Sequence, residues 1–261
     1  MRDIISRVII KEKGVIKIAL STFKRYELKY TITAEQATEL KKEIVKYMVP
    51  DAYCTDGRMY SIYNLYFDND QDSVIRRSVE KPYFKEKLRL RSYYPSPEPD
   101  TPVYFEIKRK INKTVTKRRA TVTYEQSKQF LTDYKAIELP KYIDTRVLRE
   151  VEYFVKTYEV YPKVYIRYDR QAFFGKDDKE FRLTFDKNIH TRRYDLDFGH
   201  GDDGDLIIPE NYRLMEVKIS GALPLWLIHA MDELDIHQTS FSKYGKEFTD
   251  IYLPGADAGL I

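Results

Sequence analysis

Apolar and charged residues alternate along residues 85–93 of this chain, and again along 103–110. An extended strand turns successive side chains to opposite faces. The first run therefore sets Lys85, Lys87, Arg89, Arg91 and Tyr93 on one face, with Leu88 and Leu90 on the other. The second sets Tyr104, Glu106, Lys108 and Lys110 against Val103, Phe105 and Ile107. Two neighbouring strands of this kind bring Lys and Arg side by side, which repels unless something anionic lies between them. The pattern predicts a sheet face that holds a polyanion.

The same alternation predicts strands at residues 23–31, 60–68, 114–124, 161–174, 181–187 and 213–218. A helix is predicted from Thr33, opened by a Thr33/Gln36 capping box and carrying Ala37, Leu40, Ile44, Val45 and Met48 until Pro50 ends it. Further helices are expected at 73–79, 125–134, 145–158 and 223–234, with a closing segment at 241–248. The fold class that follows is α+β: a closed antiparallel β-barrel, or tunnel, of about eight strands with a charged lumen and helices packed outside. No linker rich in Pro, Gly or Ser divides the chain. The expected organisation is an N-terminal extension at 1–22, one domain at 23–253 and a C-terminal tail at 254–261. The extension interleaves charge too densely for a secretory signal. It reads either as a strand pair turned at Gly14 or as a poorly ordered leader.

Composition narrows the function without naming it. The 261 residues include 45 Lys and Arg against 41 Asp and Glu, a net charge of +4. An anion site must then be a local arrangement, and non-specific nucleic-acid binding is not expected. The 23 tyrosines favour strands. Cys54 is the only cysteine, so internal disulfides and Cys-based zinc sites are excluded and a reducing cytoplasm fits. No apolar run approaches the length of a membrane-spanning helix.

The candidate chemistry sits in a pattern repeated on three strands: Glu27-x-Lys29, Glu106-x-Lys108 and Glu216-x-Lys218. Period two places each Glu beside its Lys. Carboxylates can hold Mg²⁺ or Mn²⁺ through hard oxygen ligands while neighbouring cations grip phosphate. Arg89, Arg91, Arg170 and Arg182 add guanidinium groups able to pair bidentately with phosphate. Rival motifs fail. Asp68, Asp70 and Asp72 have calcium-loop spacing, but Ser73 stands where the turn glycine belongs and Val79 where the bidentate Glu belongs. Asp197-Phe198-Gly199 lacks the Gly-rich and catalytic loops of a kinase, and residues 195–205 read as a mobile acidic loop. His190, His200, His229 and His237 are scattered.

A succession of motifs then resembles a known family. It comprises FKRYELKYTI at 23–32, YSIYNLYFD at 60–68, KLRLRSY at 87–93, FEIK at 105–108, YDRQAF at 168–173, LMEVK at 214–218 and FSKY at 241–244. In this order it resembles the VTC catalytic domain, the polyphosphate polymerase branch of the triphosphate tunnel metalloenzymes, related to CYTH proteins. The resemblance implies that Lys29, Arg89, Arg91, Lys108 and Arg170 hold the triphosphate or growing chain. Glu216 matches the metal-binding carboxylate, with Glu27 and Glu106 as further metal candidates. It implies substrate contacts for Arg77 and Lys243, with Lys246 compensating beside it, and the strand pattern adds Lys87, Tyr168, Arg182 and Lys218 as substrate contacts. Ser240 stands where the family has a first lysine ahead of Lys243.

The expected activity is transfer of the γ-phosphoryl group of ATP onto polyphosphate with Mn²⁺ or Mg²⁺. The alternatives are a tripolyphosphatase or nucleotide triphosphatase of the same fold, with Glu27 or Glu106 as base, and a non-catalytic polyphosphate-binding subunit. ATP and polyphosphate are the expected partners. A chain made in the cytoplasm needs an outlet or store, which implies a membrane-protein partner. Oligomeric state is not legible.

Overall fold

The computed structural model describes residues 7–12, 15–20, 26–112 and 114–254. Strands β1 (Arg7–Glu12) and β2 (Val15–Leu20) form an antiparallel pair, as one reading of the N-terminal extension required. Gly14 and residues 23–25 lie outside the described residues. Strand β3 (Tyr26–Thr33) passes directly into helix α1 (Ala34–Tyr47). The expected capping box is in place there. Thr33 Oγ accepts the Gln36 backbone N–H at 3.1 Å, and Gln36 Oε1 accepts that of Thr33 at 2.8 Å. Such a cap stabilises a helix start by about 1 kcal/mol.

The remaining elements follow in order. They are β4 (Met48–Pro50), β5 (Tyr60–Asp68), α2 (Ser73–Val79), β6 (Phe84–Ser92), β7 (Pro102–Ile111) and β8 (Thr114–Thr123). Next come α3 (Tyr124–Asp133), α4 (Tyr142–Tyr158), β9 (Tyr161–Gly175), β10 (Arg182–Arg192), β11 (Asp205–Leu206) and β12 (Tyr212–Ile219). Helices α5 (Leu225–Glu233) and α6 (Lys243–Lys246) and a π-helical turn (Glu247–Tyr252) close the chain. Met48 was expected at the end of α1. It is extended and pairs instead with Gly175 in β4, and Val49, the residue before Pro50, continues that strand opposite Phe174, as its pre-proline position favours.

Ten strands form one antiparallel sheet in the order β3-β12-β10-β9-β5-β6-β7-β8, with β4 and β11 added on β9 and β10. Among the described residues β3 and β8 pair on one side only, so the hydrogen-bonded ring expected of a closed barrel is not formed. An ionic contact instead reaches across the concave face to the β3 edge from the strand next to β8. Lys108 Nζ of β7 lies 3.6 Å from Glu27 Oε1 of β3.

Two apolar layers cover the outside of the curled sheet. Leu88, Leu90, Phe105, Ile107, Ala120 and Val122 pack under α3 and α4, whose Val147, Leu148, Val151, Phe154 and Val155 keep helical spacing. Leu183, Phe185, Met215 and Val217 pack under α1 and α5. Each such buried side chain is worth about 1.5–3 kcal/mol. A third apolar group differs in position. Ile62, Val164, Ile166 and Leu214 meet Tyr244 of α6 and Phe248 of the π-helical turn, and the group includes Tyr66 and Tyr168. Their hydroxyls face the arginines of β6, so part of the concave face is apolar and plugged, rather than charged throughout.

The loop at 195–205, expected to be mobile, is tied down. The Arg192 guanidinium donates to the carbonyls of Asp195, Asp197, Gly201 and Asp203, and Phe198 is buried. Gly204 makes the close approach possible. It has φ +140°, and a Cβ there would sit 2.3 Å from the Thr191 carbonyl oxygen.

Candidate functional site

Register decides which charges meet. Arg89 of β6 is opposite Glu106 of β7, and Glu106 is opposite Arg119 of β8. Glu106 is consequently enclosed by cations. Its Oε2 takes Arg89 Nε at 2.8 Å, and its Oε1 takes Arg119 Nε at 2.7 Å and Lys117 Nζ at 2.5 Å. Arg91 Nε lies 3.9 Å from Oε2. Burial alone would raise the Glu106 carboxyl, but Arg89, Arg91, Lys117 and Arg119 hold it far below the usual carboxylate range. Arg91 itself is buried, donating to Asn64 Oδ1 at 3.0 Å and to the Tyr168 hydroxyl at 3.3 Å. Arg89 donates to the Tyr66 hydroxyl at 3.1 Å.

The second group spans β3, β9, β10, β12 and α6. Arg170 grips Asp186 with two hydrogen bonds, at 2.6 and 2.7 Å. Lys243 Nζ reaches Asp186 Oδ2 at 2.5 Å and sits 4.2 Å over the Tyr168 ring. Glu216 lies 3.3 Å from Lys29 Nζ, 3.7 Å from Lys243 Nζ and 3.8 Å from Arg170. Burial opposes ionisation of both carboxylates, but Lys29, Lys243 and Arg170 hold Glu216 well below the usual range, and Arg170 and Lys243 lower Asp186. Burial likewise opposes the charged form of Lys29, yet Glu216 and Glu27 raise its pKa on balance. Glu27 lies 3.3 Å from Lys29, 3.6 Å from Lys108 and 4.0 Å from Lys218.

Lys87 stands between the groups. Its Nζ donates to Ser242 Oγ at 3.1 Å, and no ion pair to it is present among the described residues. Burial, with Lys85, Lys108 and Lys29 nearby, pushes its pKa down to about 7.

The structure thus brings together Lys29, Lys87, Arg89, Arg91, Lys108, Arg170, Tyr168, Lys218 and Lys243 with Glu27, Glu106 and Glu216. Arg182 stands at the margin, opposite Lys218 in register and 4.0 Å from Asp51. Two expected substrate contacts fall elsewhere. Arg77 is exposed on α2 against the Phe84 ring, and Lys246 pairs with Asp250 on the surface. Sequence reasoning missed Lys117 and Arg119, although period two in β8 places both opposite Ala120 and Val122. It also missed Asn64 and Ser242 as partners, since only tertiary register reveals them. The calcium-like spacing has another use. Asp68 accepts the Val74 and Ile75 N–H groups at the start of α2, Asp70 meets Tyr161 and Lys163, and Asp72 pairs with Arg193.

No cluster of three His, Cys, Asp or Glu suited to a metal is present among the described residues. The carboxylates differ in what they can offer. Both Glu106 oxygens are taken by short charge-assisted bonds, so Glu106 does not fit the metal role expected of it. Glu27 and Glu216 face their cations at 3.3 Å or more and keep lone pairs available. They fit Mg²⁺ or Mn²⁺ whose remaining ligands are water and phosphate oxygens.

The chain is an α+β domain built on a curled antiparallel sheet whose concave face collects cations around a few carboxylates. Residues 24–252 match the VTC domain, and the chain belongs to the VTC domain family. No curated protein matches it. Among solved structures, a Bacillus halodurans protein described as a candidate adenylate cyclase is similar at 15% identity and TM-score 0.48, over 86% of this chain and 96% of that one. The PH1819 protein of Pyrococcus horikoshii OT3 is similar at 11% identity and TM-score 0.41, over 85% and 98%. No helix among the described residues is long and apolar enough to cross a membrane.

Proposed function

We propose that this chain is a polyphosphate polymerase that moves the γ-phosphoryl group of ATP onto the end of a polyphosphate chain. The observation that carries the reading is the convergence of Lys29, Arg89, Arg91, Arg170 and Lys243 on one concave face in a VTC-family chain. A terminal phosphate oxygen of the chain attacks the γ-phosphorus. The bond from that phosphorus to the β,γ-bridging oxygen breaks, and ADP leaves with the electron pair. No side-chain nucleophile is required. The protein's share is alignment and neutralisation of charge on the transferring group.

Fixed arginines suit that task. Arg89, Arg91 and Arg170 are already oriented by Glu106, Asn64 and Asp186, so little reorganisation accompanies phosphate binding. Mn²⁺ or Mg²⁺ at Glu27 and Glu216 would supply further neutralisation. Hydrolysis is less well served, because Glu27, Glu106, Asp186 and Glu216 all have lowered pKa values and accept protons poorly at neutral pH.

The test is incubation with ATP and Mn²⁺ followed by sizing of the products. A ladder of phosphate chains with matching ADP supports the reading. Free phosphate alone would replace it with a triphosphatase. Tight binding of chains without turnover would make the protein a polyphosphate-binding subunit.

A further inference from the structure

An arc of tyrosines borders the cation-lined face and is left unused by the chemistry above. Tyr53 and Tyr60 have ring centroids 6.2 Å apart at 66°, Tyr60 and Tyr93 6.2 Å at 57°, and Tyr93 and Tyr104 5.7 Å at 71°. Arg119 lies 4.5 Å over the Tyr104 ring. Tyr53–Tyr60 and Tyr93–Tyr104 meet edge to face and Tyr60–Tyr93 is tilted, so no ring of the arc is stacked on another. Tyr53 is 77% exposed, a large aromatic surface left in water on a hydrogen-bonded turn. That turn is pinned twice. Asp51 accepts the Tyr53 and Cys54 backbone N–H groups, and the buried Cys54 sulfur accepts the Ala172 N–H at 3.3 Å.

The arc is continuous with the arginines. Tyr104 is opposite Arg91 in register, and Tyr93 follows Arg91 on the same face of the chain. From Arg89 to Tyr93 the strand rise gives about 13 Å, a span that suits a triphosphate with its sugar. Arg91 and Arg119 act on the Tyr93 hydroxyl, while Arg170 and Arg182 act on Tyr60, so the arc stands between both cation groups.

We infer that Tyr53, Tyr60, Tyr93 and Tyr104 form a nucleobase platform, seating the aromatic base of a nucleoside triphosphate whose phosphates reach the arginines. This rests on the phosphate reading of the concave face and adds which end of it receives the nucleotide. Aromatic faces stack on any base, so the platform supplies affinity for the base without requiring hydrogen bonds to its edge.

Calorimetric titration with ATP and with tripolyphosphate separates the two claims, using the wild type, Tyr53→Ala and, as an independent second position, Tyr60→Leu. The platform predicts that each variant weakens ATP binding about 5- to 150-fold while tripolyphosphate binding is unchanged. ATP affinity that survives both variants, or equal losses for both ligands, overturns it. Tripolyphosphate binding without any ATP binding removes the platform and leaves the phosphate reading standing. Binding of neither ligand removes both.

Discussion

The two halves of the concave face solve the same electrostatic problem differently. Around Glu106, the cations Arg89, Arg91, Lys117 and Arg119 share one carboxylate with no oxygen to spare. Across the face, Lys29, Lys108, Arg170, Lys218 and Lys243 share Glu27, Asp186 and Glu216, several at separations of 3.3–4.0 Å. The first half is a rigid guanidinium clamp with surplus positive charge. The second is closer to neutral and keeps carboxylate oxygens that a divalent cation can use. On the proposed reading, anion grip and metal binding fall on opposite walls.

The clamp should show the largest functional effect. Arg89→Ala is expected to lower chain synthesis by about 10²–10³, as loss of one preorganised donor does, measured by product sizing. Its melting temperature should barely move, because Glu106 keeps Lys117, Arg119 and Arg91. Glu106→Gln reverses the pattern. Four cations lose their counter-ion, and about 3–5 kcal/mol of stability should disappear in urea unfolding, with saturating tripolyphosphate restoring much of it. Equal stability losses in the two variants would erase the proposed difference between clamp and counter-ion.

On the opposite wall, Glu216→Gln should raise the Mn²⁺ concentration for half-maximal turnover by about 10- to 100-fold. Glu106→Gln should leave that concentration unchanged in the fraction that remains folded. The wall's pH response follows from its lowered carboxylate pKa values. The folded-state pKa of Glu216 and Asp186 lies below the unfolded one, so their stabilising contribution is present above the ordinary carboxylate range and fades as pH falls through the lowered values. Melting temperature should decline on acidification below about pH 4.5.

The smallest predicted signal comes from Lys87. Its folded pKa of about 7 lies below the unfolded value. The charged form is disfavoured in the folded state, and that penalty is full below pH 7 and relieved as pH rises. Phosphate should reverse the preference. Tripolyphosphate binding at pH 8 should take up a fraction of a proton, seen as calorimetric heats that differ between buffers, and Lys87→Met should abolish the uptake.

Much of this arrangement was legible from alternation alone. Arg89, Arg91, Glu106 and Lys108 face inward as period two requires, and the Thr33/Gln36 box opens α1. What alternation could not supply was partner identity. Lys117 and Arg119 become lumen residues only once β8 is set in register with β7. Lys243 and Lys246 are neighbours on one short helical stretch, yet only the first meets Asp186. The open seam was equally hidden, since a pattern of in-and-out residues is the same for a curled sheet and a closed one. Glu106 resembled a metal ligand by residue type, and its neighbours' geometry removed it from that role.

The central claim is that these converging cations form a phosphate-chain site. Titration of tripolyphosphate into the wild type, Arg89→Ala and Arg91→Ala at fixed ionic strength addresses it most directly. Saturable binding to the wild type, lost in both variants while each still unfolds cooperatively, is the predicted result; the buried Arg91 variant should melt lower than Arg89→Ala. Undiminished binding in folded variants would contradict it.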